Sequence, residues 1–534
     1  MGNGEDISTV LYCMQTRETL FGPEPVASSG PNTCDRPRLT AAQRQRAAKV
    51  KPIDRSQSAW VALDVERLIG LDHPARAIWG LTEKLDLGKF YEPMVSAQGL
   101  AGRRGWDPRL LLSIWLYAYS KGESSSRAIA RQMEYEPGLM WLSGLGEVNH
   151  DRLSAFRRNH KEALDGLFVQ LLALMEGEGL VDLEQVMHDG TKIRAQAGAD
   201  SFRRQASLEE RLRKARQLVA EFGDAEDETG GKRRQAARER AARERVERLA
   251  QAAEEMEKLQ AAAKDEAEKA KLRVSLTEPE ARRMKHGDNA IAPSYNVQIS
   301  TDAKNTVIVG MHLTQCSSDA GSLGDAMDVV VENLERQPVQ VVADGGYTNR
   351  ATIVEMEERA IDFVGSMASQ SERQASALKA AGIDAQFGSN FFKILPDGKS
   401  LECPAGKRLP YVRHSKKRDN HYAQYQASGR DCAACEHRQK CCPKNPAKGR
   451  TVSILKSELE EVAAFRRKMQ TEQAQQIYKK RGPIAEFPNA WIKDKIKLRK
   501  FRLRGLLKAG TEALWACLTY NVMQWIRLHR TAAA

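Results

Sequence analysis

The chain has 534 residues, and 41% of them are hydrophobic, which is enough for the cores of several domains. Lysine and arginine total 83 against 70 aspartates and glutamates, and the resulting net charge of +13 favours a polyanionic partner such as nucleic acid. The sequence contains neither a run of about 20 apolar residues nor a signal peptide, so a membrane protein and a secreted protein are excluded. We therefore expect a cytoplasmic protein whose nine cysteines are reduced or bound to metal.

The first 180 residues divide into two parts. Residues 1–55 show no periodicity and are predicted to be a disordered leader, whereas residues 56–180 predict a helical N-terminal DNA-binding domain. Within that domain, Asn149-His150-Asp151 precedes a short basic helix that contains Arg157 and Arg158. Such a helix is typical of the second helix of a helix-turn-helix, and both arginines are candidate DNA contacts. An ordinary surface helix is the alternative.

Two apolar runs each lead into Asp-Gly, and they predict two strands that end at acids. The first is Gln185 to Asp189, in a strand segment at residues 181–200, and the second is Val341 to Asp344. If the strands are neighbours, Asp189 and Asp344 meet at one edge of a sheet, where their carboxylates can bind Mg²⁺. The alternative is that each Asp-Gly is only a turn.

The segments around these strands predict the rest of a catalytic core. Residues 201–280 are rich in Ala, Glu, Arg and Lys and predict a charged helical-hairpin insertion, either a structural or dimerisation arm or a DNA-contacting one. Residues 281–370 continue the core, so that the Asp189 strand and the next two strands are antiparallel in style and are followed by two strands that alternate with helices. This order favours an α/β fold with an RNase H-like core, a mixed five-stranded sheet in which the first and fourth strands carry the acids.

A third acid is expected from residues 456–534, the catalytic helix and C-terminal helices. Glu486 lies eight residues after Tyr478 and seven before Lys493, so all three can share one helix face. Proline is costly inside a helix, so we expect the helix to begin near Pro483 or to kink at Pro488. The alternative carboxylates are Glu472 and Glu512.

Residues 371–455 form a cysteine-rich insertion that we predict to be a small zinc-ribbon-like unit. The spacing of Cys432 and Cys435, with Cys403 upstream, suits tetrahedral Zn²⁺, and the fourth ligand is Cys441 or Cys442, with Cys441 preferred. Free thiols in an ordinary insertion are the alternative.

Taken together and in order, these motifs resemble the DDE transposases of bacterial insertion sequences. The motifs are Asp189-Gly-Thr, Ala343-Asp344-Gly-Gly-Tyr347, and a Tyr478, Arg481, Glu486, Lys493 series. The segment from Arg104 to His160 is similar to the InsH-type N-terminal domain of that group. In the series, four residues separate Arg481 from Glu486, against three in the broader signature.

The resemblance implies a function and a set of roles. A transposase of this kind binds the terminal inverted repeats of its element, cleaves the DNA with Mg²⁺ or Mn²⁺ and joins the ends to target DNA, acting as a homodimer. Asp189, Asp344 and Glu486 would be the metal ligands, and Tyr478, Arg481 and Lys493 would contact phosphates. The alternative function is a DNA-binding remnant or repressor of such an element that has lost its catalytic activity.

Overall fold

The computed structural model describes residues 62–94, 105–224, 232–263, 265–367, 370–397, 399–417, 420–457 and 459–533. The predicted leader at residues 1–55 lies outside these ranges. None of the described helices is long and apolar enough to cross a lipid bilayer.

The N-terminal region is helical, and capping residues set the starts of its helices. Asp107 accepts a hydrogen bond from the Arg109 amide at 2.9 Å, and Pro108 occupies the first turn of the third helix. After a 3₁₀ turn at Val65–Arg67, the helices are α1 Pro74–Glu83, α2 Gly88–Tyr91, α3 Pro108–Ser120, α4 Ser126–Gln132, α5 Pro137–Ser143, α6 His150–Asn159 and α7 Lys161–Gly177.

A mixed sheet follows, and it has the predicted order of antiparallel and parallel strands. The strands are β1 Gln185–Arg194, β4 Arg282–Lys285, β5 Ile291–Asp302, β6 Val307–Thr314, β7 Gln340–Ala343 and β8 Asp362–Gly365. Strand β1 pairs antiparallel with β5 and parallel with β7, and β8 pairs parallel with β7. The sheet has six strands rather than the predicted five, because β4 adds an edge strand that pairs with the first part of β5, whereas β6 pairs with the later part.

Strand β1 does not end at Asp189-Gly190, as the Asp-Gly pattern predicts. It continues to Arg194, paired with β5 throughout. A Cβ atom on Gly190 would lie 2.6 Å from Gln298 Nε2 and 2.7 Å from Tyr347 Oη. Gly190 is therefore required for the close approach of these side chains and does not mark a turn.

Helices cover the sheet on both faces. α11 Leu323–Leu334 and α12 Arg350–Glu358 connect the parallel strands, and α16 Glu460–Met469, α17 Glu472–Lys479, α18 Phe487–Asp494 and α19 Leu506–Ala533 follow later in the chain. Ala485, between α17 and α18, is buried against Met187, Val342 and Val364 of three neighbouring strands. The sheet and its helices thus give the mixed α/β architecture that the sequence predicts.

Two segments interrupt the core. The first contains β2 Phe202–Arg203, α8 Gln205–Asp224, α9 Lys232–Ala262, α10 Glu266–Lys269 and β3 Val274–Ser275. The two long helices pack through small and aliphatic side chains such as Leu208, Leu212, Leu249 and Met256. Their remaining surface is charged, as expected for a solvated hairpin.

The second segment contains the cysteines and a sheet that the sequence analysis did not predict. It has α13 Gln370–Ala381, β9 Lys393–Ile394, β10 Ser400–Glu402, β11 Arg408–Lys417, β12 Asn420–Gln426, α14 Gly429–Ala433, α15 Arg438–Cys441 and β13 Thr451–Ser457. The strands form one antiparallel sheet in the order β13-β12-β11-β10-β9. Leu401, Leu409 and Tyr425 are buried in its own small core.

Candidate active site

The acids Asp189 and Asp344 lie at the same level on neighbouring parallel strands. His188 of β1 is the register partner of Ala343, the last residue of β7, and an acid follows each of them. The Asp344 carboxylate accepts a hydrogen bond from the Gly346 amide at 2.7 Å, in the turn after β7. The structure therefore brings the two predicted acids together at one edge of the sheet.

Asp189 is partly buried, and both a positive and a negative side chain act on its carboxyl. Burial raises the pKa of its carboxyl to about 6, while the Arg481 guanidinium lowers that pKa and the neighbouring Asp344 raises it. Asn489 of α18 donates a hydrogen bond from Nδ2 to Asp189 Oδ2 at 2.9 Å. A carboxyl with this pKa changes its charge just below neutral pH.

A buried polar network stands behind the acids. Gln298 of β5 accepts hydrogen bonds from Tyr347 Oη at 2.6 Å and pairs with His188 Nε2 at 2.9 Å. Its Nε2 donates to Asp319 Oδ1 at 3.1 Å, and Asn296 Nδ2 donates to the same oxygen at 2.7 Å. The network packs against Gly190 and lies beside Gly346, and each of these glycines is within two residues of one of the acids.

His188 belongs to this network rather than to the solvent-facing site. It is fully buried, and burial lowers the pKa of its imidazole to about 4, so it is neutral at pH 7. Ser300 Oγ lies 2.9 Å from its Nδ1. A neutral, doubly hydrogen-bonded histidine holds β1 and β5 in register and does not supply a proton to the site.

The predicted helix with the third acid spans two α-helices joined by a π-helical turn. The turn is Gly482–Glu486, between α17 and α18. A helical segment thus begins near Pro483, as predicted. Pro483 lies in the wide turn, and Pro488 occupies the first turn of α18, where a missing N–H is tolerated. A π turn holds one more residue than an α turn, which accommodates the four-residue gap before Glu486.

Glu486 is on the same side of the molecule as the acid pair, but its carboxylate is not in contact with them. Its side chain is 65% exposed, and Oε1 lies 3.4 Å from Arg481 Nη2. Arg481 in turn acts on the Asp189 carboxyl and lies over the Tyr478 ring at 5.9 Å. Arg481 is thus the common neighbour of two predicted acids and one predicted DNA contact.

Lys493 and several further cations lie beside the acids. Burial lowers the pKa of the Lys493 ammonium, as does Arg499, whereas Asp189 raises it. The charges of Arg194, Lys493 and Lys192 all act on His286, whose pKa is lowered first by burial. A basic surface of this kind next to paired carboxylates suits a polyanionic substrate.

The donor set fits a hard divalent cation, although the acids do not yet form a closed site. Carboxylate and amide oxygens are available from Asp189, Asp344 and Asn489, and Glu486 is close by on a surface-exposed side chain. Within the described ranges, no three His, Cys, Asp or Glu side chains are already spaced to hold one metal ion.

The five clustered cysteines line a single pocket. It is bordered by Cys403, Cys432, Cys435, Cys441 and Cys442, together with His437. Burial raises the pKa of Cys441 to about 11, and it also raises the pKa of Cys432, with smaller effects from Cys442, Cys403 and Cys435. The backbone N–H of Lys407 and that of Arg450 lie 3.3 Å from the sulfurs of Cys403 and Cys432.

The two predicted N-terminal DNA contacts have different environments. Arg158 is exposed at the end of α6. Arg157 is 5% exposed, donates to the Ser124 carbonyl at 2.7 Å and lies 4.0 Å from Glu512 Oε1. Arg157 faces the interior because α19 packs against α6, so its guanidinium is not presented to solvent. Glu512, an alternative third acid, is completely buried in this pair, away from Asp189.

Two residues of the candidate site, Asn489 and Asp319, are not among the predicted ones. Asn489 is three residues after Glu486 and four before Lys493, so it lies between them on one helix face. Asp319 follows β6 in a loop, and only the fold brings it to Gln298 and Gly346. The helical spacing could have indicated Asn489, whereas no local pattern indicates Asp319.

Comparison with known proteins gives two family matches. Residues 402–526 match a family described as "Transposase DDE domain", and residues 63–159 match one described as "Transposase domain (DUF772)". The first match includes Glu486 and the cysteine pocket, while Asp189 and Asp344 lie between the two matched regions. No curated protein matches the chain.

Proposed function

We propose that this chain, a DDE transposase of the insertion-sequence type, binds the terminal inverted repeats of its element and catalyses metal-dependent DNA cleavage and strand transfer. The proposed core is RNase H-like. The observation that carries the proposal is the pairing of β1 with β7, which puts Asp189 and Asp344 at one level on neighbouring strands.

The proposed chemistry follows from the charges around this pair. Attack on a phosphodiester develops negative charge on the entering and leaving oxygens, and divalent metal ions held by carboxylates stabilise that charge. Asp189, Asp344 and Glu486 would hold Mg²⁺ or Mn²⁺. Asp189 and Asp344 follow register partners on neighbouring strands, and Glu486 would join them when Arg481 turns to a DNA phosphate.

The proposed DNA contacts surround the acids. Tyr478, Arg481 and Lys493 would bind phosphates next to the cleaved bond, and Arg158 would contact the repeat sequence from α6. Because both ends of an element must be held together, we propose a homodimer as the active form. DNA as the substrate also implies a cytoplasmic protein.

The test is cleavage of a duplex that carries the element's ends, in Mg²⁺ or Mn²⁺. Asp344→Asn is expected to lower the cleavage rate on the order of 10³-fold, because several kcal/mol of metal-mediated stabilisation are lost. Asp165→Asn is a matched control, since Asp165 is a half-buried carboxylate paired with Lys161 on α7. Equal cleavage by the wild type and Asp344→Asn would overturn the proposal.

A second function is favoured by one observation, the pairing of Glu486 with Arg481 in place of the acid pair. A chain that keeps this pairing would bind element ends without cutting them, as an inactive remnant or repressor. Glu486→Gln separates the two functions. Loss of cleavage with unchanged binding supports the enzyme, whereas no cleavage by the wild type under any metal condition supports the binder.

We also propose that the cysteine pocket binds structural Zn²⁺ through Cys403, Cys432, Cys435 and Cys441. Cys441 is preferred to Cys442 because the Cys442 thiol donates to the Asn445 carbonyl at 3.5 Å. The two N–H···S contacts would stabilise thiolates. We expect elemental analysis to find about one zinc ion per purified chain. Cys435→Ser should lose this zinc. Cys517→Ala is the control and should keep it, because Cys517 is a buried core residue of α19. Zinc-free protein that takes up no Zn²⁺ would contradict this.

A further inference from the structure

Asn489 has a buried side chain that touches the candidate active site. The residue is 7% exposed, and its Nδ2 donates to Asp189 Oδ2 at 2.9 Å. Its Oδ1 is buried and has no hydrogen-bond partner in the described part of the chain. Because both atoms belong to one carboxamide, the unpaired oxygen lies beside the Asp189 carboxylate.

The surroundings fix this side chain in place. Asn489 is in the first turn of α18, directly after Pro488, and Ile492 on the next turn is buried in the main core. The π-helical turn at Gly482–Glu486 sets the rotation of α18 relative to the sheet. The amide therefore faces Asp189 as a consequence of helix packing, and it does not need to move to do so.

Another buried asparagine shows what a purely structural amide looks like in this protein. Asn521 of α19 accepts from the Ile308 amide at 2.9 Å and donates to the Ile308 carbonyl at 2.7 Å, so both ends of its carboxamide are satisfied. Asn489 is satisfied at one end only, by an acid of the site. The hydrogen bond that this buried carboxamide makes is therefore directed at the Asp189 carboxylate and not at the backbone of its own core.

We propose that Asn489 is a positioning residue for the divalent cation of the active site. Its N–H holds one oxygen of Asp189, which fixes the orientation of that carboxylate toward Asp344 and the cation, Mg²⁺ or Mn²⁺. The inference rests on the proposed function, because it assigns a role toward the cation that Asp189 and Asp344 hold.

The test measures Mn²⁺ binding by calorimetry on the full chain without turnover. Asn489→Leu, which has a similar shape and no donor, is expected to weaken Mn²⁺ binding ~10–100-fold, the usual effect of losing a partner of a metal ligand. Asn333→Ala is the matched control. Asn333 is a partly buried asparagine whose Nδ2 donates to the Val309 carbonyl at 2.9 Å, and its replacement should leave Mn²⁺ binding unchanged.

A kinetic readout separates positioning from a general structural defect. Cleavage by Asn489→Leu should approach the wild-type rate at saturating Mn²⁺, with an increased KM for the metal and little change in kcat. If melting curves show that Asn489→Leu does not fold, Asn489→Ser, which cannot reach Asp189, gives the same comparison. Unchanged Mn²⁺ affinity in a folded Asn489 variant would overturn the inference.

The design also distinguishes this inference from the proposed function. If Asp344→Asn binds Mn²⁺ as tightly as the wild type, the acid pair is not the cation site and both proposals fail. If Asp344→Asn loses Mn²⁺ while Asn489→Leu keeps it, only the role of Asn489 is wrong.

Discussion

Asp189 and Glu512 are both acids in buried surroundings, but the groups around their carboxylates differ. Glu512 is completely buried, accepts hydrogen bonds from the Arg502 and Leu503 amides at 2.9 and 3.1 Å, and has Arg157 at 4.0 Å. Asp189 has one side-chain hydrogen bond, from Asn489, and a second carboxylate as a neighbour. Glu512 thus faces a cation and two amides of its own chain, whereas Asp189 has a second carboxylate beside it in addition to Arg481 and Asn489.

This difference separates a structural ion pair from a site. A buried charge that faces an opposite charge of the same chain ties together the elements that carry the two groups, here α6 and α19. A partly buried acid next to another acid costs stability that an incoming cation recovers, a property common at functional sites. The sequence analysis predicted Arg157 as a DNA contact and Glu512 as an alternative metal ligand. The burial of both side chains against each other argues against these two roles.

The larger effect is expected from breaking the Arg157–Glu512 pair. Arg157→Ala should destabilise the protein by ~3 kcal/mol or more, because Glu512 is left as an uncompensated buried charge and the contact of Arg157 with Trp115 is lost. Thermal or urea unfolding measures this change. Replacing both partners, as Arg157→Met with Glu512→Leu, should restore much of the stability.

Arg158→Ala is the matched control for this prediction. Arg158 is the exposed neighbour on the same helix, so its loss should leave the melting temperature nearly unchanged and weaken DNA binding modestly, with a reduced salt slope. If Arg157→Ala is as stable as the wild type, or if Arg158→Ala is strongly destabilised, the structural role of the Arg157–Glu512 pair is contradicted.

The smaller effect is a gain of stability from neutralising Asp189. The pKa is about 6 in the folded chain against an ordinary value of 3.8, so the folded state binds the extra proton between about pH 4 and 6. Wild-type stability therefore falls as pH rises through that window. Asp189→Asn should be more stable than the wild type at pH 7.5 by on the order of 2 kcal/mol, with the gain vanishing near pH 4.

These unfolding experiments require EDTA, because a bound cation would stabilise the wild type. Asp328→Asn is a control for which the expected change in stability has the opposite sign. The hydrogen bond from Arg359 lowers the pKa of Asp328, so the charged form of Asp328 stabilises the fold above that pKa. Asp328→Asn should therefore be less stable than the wild type at pH 7.5. A gain for Asp189→Asn that is the same at pH 4 and pH 7.5 would show that charge is not its cause.

Much of the central sheet could be predicted from the sequence because its strands are buried on both faces. A run such as Val341-Val342-Ala343 predicts a buried strand. The order of strands and helices predicted that the two acid-bearing strands are neighbours, and β1 does pair with β7. The short edge strand β4 and the sheet β9–β13 were missed, since their polar, irregular segments are strands only through their partners.

The site was predictable to the same degree and for the same reason. Asp189 and Asp344 follow from two strand patterns, whereas the role of Gly190 in close packing depends on Gln298 and Tyr347, more than 100 residues away. Arg157 looks like an exposed arginine of a basic helix until α19 covers it. Contacts between distant segments decide such cases, and no local pattern contains them.

The wide turn at Gly482–Glu486 has a consequence for how related chains are recognised. An α-helix rotates about 100° per residue, so an inserted residue would normally turn Asn489 and Lys493 away from β1. Taking up that residue in a π turn keeps Tyr478 and Lys493 oriented to the same sheet. The interval before the glutamate can thus differ by one between proteins with the same arrangement, and a search that demands a fixed interval would overlook some of them.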